Sequence, residues 1–341
     1  ILEDVRKLTD TKEQYHVIRT LIRYARRRAE RRGTWEDRYD LMYALFLYAY
    51  QADSVLMDNP SIQVSNEIGS SSVESWEEGF GLLEGLLEEN RDTAGLRQDA
   101  AYFYVQYGNS RIGLDFDEAK YPVILERAAN VIRLYEEAGA AGEPEDSYSW
   151  MKWVRDAHLN MGTLCRKLHR TKEARTHLAE AEKAAWRMCE KKPNAQNLLR
   201  YLDILKWHMV SLYQDRQDEP ALTAAKKLEQ LLTDWQVTGG EDYLIWLHYV
   251  RGRIAYERGD LLTADQMVQQ LEPYRELMKK KLLGDQCLLL ALDAACGKGD
   301  LPAAEAAWSA AEEHLRDFYR SKWLQEHAPS MAAEVRHYLE Y

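Results

Sequence analysis

The chain has 341 residues, of which 46% are hydrophobic and 30% are charged, a balance typical of a folded protein with a sizeable core. Its formal net charge of −11 argues against a general nucleic-acid-binding protein, because such a protein needs a positive surface to attract phosphates. The longest apolar run, from Leu41 to Tyr50, is about half of what a bilayer crossing needs, so no membrane span is predicted.

Apolar residues recur at intervals of three and four along most of the chain, and alternating β-branched runs are absent. This pattern predicts an all-α protein with about twelve to fourteen helices. The first helix is expected over 11–32 and the second over 34–57, with Thr34 as the N-cap of the second. Together they form an N-terminal helical hairpin assigned to 1–57.

Arginines crowd the end of the first predicted helix. A solvated face at a helix C-terminus explains them, since cations there interact favourably with the helix dipole. The alternative is a docking patch for an acidic partner or a nucleic-acid backbone, and the acidity of the whole chain weakens the nucleic-acid version. The residues of this candidate docking patch are Arg23, Arg27, Arg28 and Arg31.

Residues 58–72 combine Asn59-Pro60 with the run Gly69-Ser-Ser-Ser, which predicts a loop. The segment 73–147 then reads as degenerate helical repeats that continue the stack.

A repeated pattern occupies 148–341. Four alanines each open an amphipathic helix after a short polar turn, namely Ala174, Ala221, Ala264 and Ala304. Gly162 and Gly252 each precede one of these alanines by twelve residues. Gly259 and Gly299 each precede one by five, where they suit a left-handed residue that closes the preceding helix.

These positions resemble the tetratricopeptide signature, which has a small residue late in helix A, a Gly-rich turn and a small residue early in helix B. The equivalent positions 162, 209, 252 and 292 are about 40 to 47 residues apart, whereas the family period is about 34. The resemblance implies a right-handed superhelical stack of antiparallel helix hairpins, an α-solenoid, that ends in a C-terminal capping helix.

In this family the A helices line the concave face, and partners usually bind there. The positions carried over combine cations, which suit carboxylates, with aromatic side chains that supply contact area. The resemblance therefore implies a groove for a protein or peptide with acidic groups. Its predicted residues are Arg166, Lys167, Lys206, Tyr213, Trp246, Tyr249, Arg253 and Tyr256.

Motifs for phosphate binding, dinucleotide binding, a nucleophile elbow or a zinc peptidase do not occur in the sequence. No catalytic residue, metal ligand or cofactor is therefore predicted. Cys165, Cys189, Cys287 and Cys296 are expected to be buried reduced thiols, which favours the cytoplasm. Trp186, Trp235 and Trp308 are expected in the core.

The leading hypothesis is a protein- or peptide-binding scaffold that serves as the sensor or interaction segment of a larger bacterial regulatory protein. The start at Ile1 rather than Met favours a fragment whose N-terminal partner domain is missing. A self-assembling adaptor is the alternative. A third hypothesis is an (α/α)-toroid hydrolase, because carboxylates are plentiful.

Overall fold

A computed structural model describes residues 11–58, 62–90, 93–114, 118–142, 147–274, 277 and 282–320. These residues form thirteen α-helices and no strand, which confirms the all-α prediction for this part of the chain. In chain order the helices are α1 Thr11–Arg32, α2 Trp35–Asp58, α3 Ile62–Asn90, α4 Ala94–Leu114, α5 Tyr121–Ala140, α6 Tyr148–Lys167, α7 Thr171–Lys191, α8 Ala195–Gln214, α9 Asp218–Asp234, α10 Glu241–Glu257, α11 Leu261–Leu271, α12 Leu282–Lys298 and α13 Leu301–Arg320. None of these helices combines the length and apolarity needed to cross a membrane.

The chain divides into two compact units. Unit 1 comprises residues 1–116 and 120–160, and unit 2 comprises 117–119 and 161–341. The boundary falls inside α6, whereas the repeats were predicted to begin at its N-terminal end.

In unit 1, α1 packs on α2, α2 on both α3 and α4, and α4 on α5. An aromatic cluster forms the centre of this core, because the ring of Phe46 contacts those of Trp76, Phe80 and Phe103 at centroid distances of 5.4, 4.9 and 4.3 Å. Such ring pairs stabilise a core beyond the area that they bury.

The turn between α1 and α2 is held by a cap and by ion pairs. The backbone N–H of Asp37 donates to Thr34 Oγ1 at 3.3 Å, which confirms Thr34 as the N-cap of α2. Arg28 and Arg32 reach the buried Asp37 carboxylate at 2.5 and 3.3 Å. Part of the arginine run therefore closes the predicted N-terminal hairpin.

The predicted loop at 58–72 is wrong over residues 62–72, which belong to α3, while 59–61 lie outside the described residues. Two serines of this segment, Ser71 and Ser72, bond to α2 instead. Ser72 Oγ donates to the Asp53 carboxylate and to the Ala49 carbonyl, and Tyr48 and Ser71 share a hydroxyl hydrogen bond of 2.8 Å. These tertiary contacts outweigh the weak helix propensity of serine.

Beside this contact lies a buried ion pair whose hydrogen bonds link three helices. The Arg111 guanidinium of α4 donates to Asp53 Oδ1 of α2 at 2.6 Å and to Ser72 Oγ of α3 at 2.8 Å. Trp76 Nε1 donates to the second carboxylate oxygen of Asp53 at 2.9 Å. Sequence reasoning missed this network because its members are far apart in the chain.

In unit 2 the helices pack in the order of the chain. Consecutive helices from α7 to α13 contact one another, and α10 also contacts α8 and α12. The hairpins pair α6 with α7, α8 with α9, α10 with α11 and α12 with α13. The first helix of each pair is called the A helix below.

The turns of the four hairpins share one backbone geometry. Each has a left-handed residue five positions before the predicted alanine: His169 (φ 55°), Arg216 (φ 59°), Gly259 (φ 77°) and Gly299 (φ 73°). The N–H of the next residue donates to the carbonyl five positions earlier, as in Arg170 to Cys165 at 2.8 Å and Asp300 to Ala295 at 2.9 Å. This is the Schellman arrangement. It confirms the left-handed roles predicted for Gly259 and Gly299.

The small residues of the pattern lie at close helix contacts. Ala174, Ala221 and Ala264 are fully buried. A Cβ atom at Gly162 would lie 2.6 Å from Leu178 Cγ, and one at Gly252 would lie 2.7 Å from Leu290 Cδ2. Larger side chains at these positions would push the helices apart.

Candidate functional site

A strip of cationic and aromatic side chains crosses the A helices of unit 2. The Arg166 guanidinium of α6 lies 4.3 Å above the ring of Trp207 in α8, and Trp207 contacts Trp246 of α10 at 5.1 Å between centroids. Trp246 contacts Tyr249 at 5.9 Å, and the Arg253 guanidinium lies 6.0 Å from the Tyr249 ring. We call these five residues the A-face strip.

Four of the eight predicted groove residues thus lie in the strip, and a fifth, Lys206, lies beside it with Nζ 4.8 Å from the centroid of the Trp207 ring. The structure adds Trp207 to the predicted set. Sequence reasoning missed Trp207 because the alignment assigned the neighbouring Lys206 to the groove. The signal was available in the spacing, since Trp207 and Trp246 are 246 − 207 = 39 residues apart, close to one repeat.

Carboxylates offset the predicted basic character at two positions. Lys206 Nζ lies 2.7 Å from Asp242 and 3.8 Å from Asp203, and the Arg253 guanidinium lies 2.5 Å from Asp293. The side chains of Lys206 and Arg253 are only 6% and 10% exposed. The positive charges of Lys206 and Arg253 are therefore largely neutralised by these carboxylates, and neither cation offers a partner a strong positive charge.

The other end of the strip carries two neighbouring cations. Arg166 and Lys167 are adjacent and half-buried. Burial lowers the pKa of Lys167, and the neighbouring Arg166 charge lowers it further.

The remaining predicted residues have different surroundings. The Tyr213 hydroxyl donates to Glu257 at 2.8 Å, and burial raises the pKa of Tyr213. Tyr256 packs against the small core formed by Ala255, Ala264 and Ala294. Tyr213 also interacts electrostatically with Tyr249 and Arg253, so it lies next to the A-face strip.

Two tryptophans expected in the core are instead on the surface. Trp186 is 42% exposed and Trp235 is 54% exposed. Trp235 follows the last turn of α9, where helical periodicity no longer predicts burial. An apolar niche of about 100 Å³ is lined by Trp186, Cys189, Glu190, Pro193, Asn194, Leu198 and Trp235.

Glu182 of α7 accepts hydrogen bonds from two neighbouring helices. The hydrogen-bond distances to its carboxylate oxygens are 3.1 Å from Tyr201 Oη, 2.6 Å from His208 Nδ1 and 3.0 Å from Lys227 Nζ. Burial raises the pKa of Glu182, but the donors from His208 and Lys227 outweigh it and bring the pKa to about 2. The arrangement favours a structural role that joins α7, α8 and α9.

The four arginines of the candidate docking patch at the end of α1 have different surroundings. Arg28 is engaged by Asp37 and also by Asp40 at 3.3 Å, so it supports the hairpin. Arg27 and Arg31 are exposed. Arg23 bonds to Thr20 at 3.2 Å and lines a cleft between helices.

Among the residues described, no three or more His, Cys, Asp and Glu side chains cluster as a metal site would require. Cys165 and Cys287 are buried as predicted. Cys189 is half-buried and Cys296 is exposed, so burial was wrongly predicted for Cys296, which lies near the end of α12.

Comparison of the sequence with protein-family models and with curated proteins found no match. The resemblance to tetratricopeptide repeats therefore depends on the repeat residues and on the shared turn geometry of unit 2.

Proposed function

We propose that this chain is a protein- or peptide-binding scaffold of tetratricopeptide-like hairpins rather than an enzyme, and that the A-face strip binds the partner. The observation that carries this proposal is the half-buried pair of Trp207 and Trp246 beside the Arg166 guanidinium. Trp, Tyr and Arg dominate the energetics of protein interfaces, because they bury a large area at a low cost in conformational entropy. In a right-handed solenoid, as the resemblance implies, this strip would face the concave side.

The surroundings of the strip suggest the chemistry of the partner. An apolar side chain would pack against Trp207 and Trp246, and a carboxylate would pair with Arg166 and Lys167. A run of acidic residues suits the strip less well, since it would also meet Asp203 and the carboxylates beside Lys206 and Arg253. The proposed partner is therefore an apolar segment with one or two acidic groups.

Selection from a random peptide library on the purified chain tests this proposal. Peptides that bind should combine an aromatic or aliphatic anchor with an acidic residue. Their affinity should fall by about tenfold or more in Trp246→Ala and in Arg166→Gln. Trp235→Ala removes an exposed tryptophan away from the strip and should leave the affinity unchanged. Selected peptides that are insensitive to both strip variants would refute the site.

Self-association is the second candidate, and the apolar niche beside Trp186 and Trp235 favours it. Sedimentation velocity over a range of protein concentrations distinguishes the two functions. A self-assembling chain should form a dimer or larger species that Trp235→Ser dissociates. A monomer at every concentration would reject this candidate and would leave peptide binding unaffected.

A further inference from the structure

A cleft of about 490 Å³ lies between α1, α2 and α3 of unit 1. Its lining includes the buried side chains of Ile22, Leu45 and Tyr48, which close it on the side of the core. The volume lies within the range of roughly 300 to 1,000 Å³ found for small-molecule sites. The cleft therefore has room for a small organic molecule.

The walls of the cleft are charged. On α1, Arg19, Arg23 and Arg26 follow one another at intervals of four and three residues, which places them on one helix face. On α3, Glu74 and Glu78 line the cleft. Three guanidinium groups against two carboxylates make this lining net positive in a chain whose net charge is −11.

One ion pair joins the two walls. The Arg26 guanidinium donates to both oxygens of Glu78, at 2.5 and 3.3 Å. This two-point contact holds α1 against α3 and neutralises one cation and one carboxylate of the lining. The charged lining also contains Arg19, Arg23 and Glu74.

Hydroxyl groups complete the lining. Tyr48 and Ser71 share a hydrogen bond of 2.8 Å, and Ser75 donates to the Ser71 carbonyl at 2.8 Å. A hydroxyl both donates and accepts, so these groups can bond to a polar ligand by exchanging partners.

We propose that this cleft binds a small organic anion, whose carboxylate or phosphate group is held by Arg19 and Arg23. Guanidinium groups match the paired oxygens of both oxyanions. An oxyanion alone would fill a small part of the cleft, so the ligand carries an organic remainder. That remainder bears a donor such as an ammonium group, because the carboxylate of Glu74 accepts hydrogen bonds. A run of carboxylates from an acidic protein segment would be repelled by Glu74.

Isothermal titration calorimetry of the full chain at low ionic strength tests the proposal. Four probes vary the oxyanion and the donor separately: phosphoethanolamine, ethyl phosphate, β-alanine and propanoate. We expect phosphoethanolamine or β-alanine to bind, and each to bind more tightly than its partner without the ammonium group. The comparison of the two shows whether phosphate or carboxylate is preferred.

Two arginine variants provide the matched control. Arg23→Gln should weaken binding by about tenfold or more, because it removes a charge-assisted contact. Arg27→Gln makes the same change of charge at an exposed position of α1 outside the cleft lining and should change the affinity by less than about twofold. Circular dichroism confirms that both variants are folded.

The proposal is overturned if none of the four probes binds, or if Arg27→Gln weakens binding as much as Arg23→Gln does. Binding of a hexaglutamate peptide without binding of any small probe would also overturn it, in favour of an acidic protein segment. Glu74→Gln provides a further check, since it should reduce the preference for the ammonium-bearing probes.

Discussion

The Arg111 guanidinium lies 2.6 Å from the Asp53 carboxylate, and both side chains are almost completely shielded from solvent in the core of unit 1. The ion pair joins α2 to α4, and its hydrogen bonds to Ser72 and Trp76 extend it to α3. A buried carboxylate is tolerated only when it is paired and hydrogen-bonded. The network therefore links these three helices at one buried point.

Removing one partner of this pair should be costly. Arg111→Met leaves the Asp53 carboxylate buried without its counter-charge, and we expect the free energy of unfolding to fall by about 3–5 kcal/mol. Urea denaturation followed by circular dichroism measures the loss. Arg26→Met, at the exposed ion pair with Glu78, is the control and should cost at most about 1 kcal/mol. Equal losses in the two variants would contradict a special role for the buried pair.

The left-handed turns offer a stabilising substitution. His169 has φ 55°, where the equivalent residues of two other hairpins are glycines. His169→Gly should raise the free energy of unfolding by about 0.5–1 kcal/mol, because glycine adopts this conformation without steric cost. Gly259→Ala is the reverse change and should lower it by about 1 kcal/mol. Shifts of the midpoint of urea denaturation measure both changes in the free energy of unfolding. If His169→Gly were less stable than the unmodified chain, the imidazole would make contacts that outweigh the backbone strain.

The close approach of α6 and α7 at Gly162 can be tested with a second glycine as the reference. Gly162→Ala should destabilise unit 2 by about 1–3 kcal/mol, because its Cβ would lie 2.6 Å from Leu178 Cγ and 3.3 Å from the Ala174 carbonyl oxygen. Gly85 lies within α3 with open space around its Cβ position. Gly85→Ala should therefore stabilise the protein by roughly 0.5–1 kcal/mol. Thermal unfolding of the two variants should thus shift in opposite directions.

Acid should weaken the contacts of Glu182. Its pKa of about 2 in the folded protein lies below the usual value of 4.5, so Glu182 stabilises the folded state above pH 4.5. That contribution, at most about 3 kcal/mol, is lost as the pH falls from about 5 to 2. Urea denaturation at a series of pH values should show a shallower loss of stability in Glu182→Gln over this window. The exposed Glu77→Gln serves as the control, and an unchanged pH profile in Glu182→Gln would contradict the prediction.

Local signals predicted much of the fold. The capping role of Thr34 and the left-handed roles of Gly259 and Gly299 could be read from the sequence, because each depends on its own backbone and a few neighbours along the chain. The same turn at His169 and Arg216 has no glycine, and only its hydrogen-bonded backbone reveals that all four hairpins are equivalent.

Signals that depend on partners far along the chain were missed. The segment 62–72 has the composition of a loop, yet α2 holds it in a helix through Asp53 and Tyr48. Trp186 has the helical spacing of a core residue, but no neighbouring helix covers it fully. Composition describes what a segment prefers in isolation, and these two outcomes depend on what packs against it.

The sequence by itself determined the helical class, the hairpin turns of unit 2 and several members of the A-face strip, since periodicity and small residues act over a few turns of helix. The tertiary structure decided which cations form an ion pair with a carboxylate. It paired Lys206 with Asp242 and Arg253 with Asp293. It also placed Arg28 of α1 in the hairpin and Arg23 in the cleft, while Arg27 and Arg31 stay exposed. Charge pairing depends on distances between helices that the order of residues along one helix does not specify.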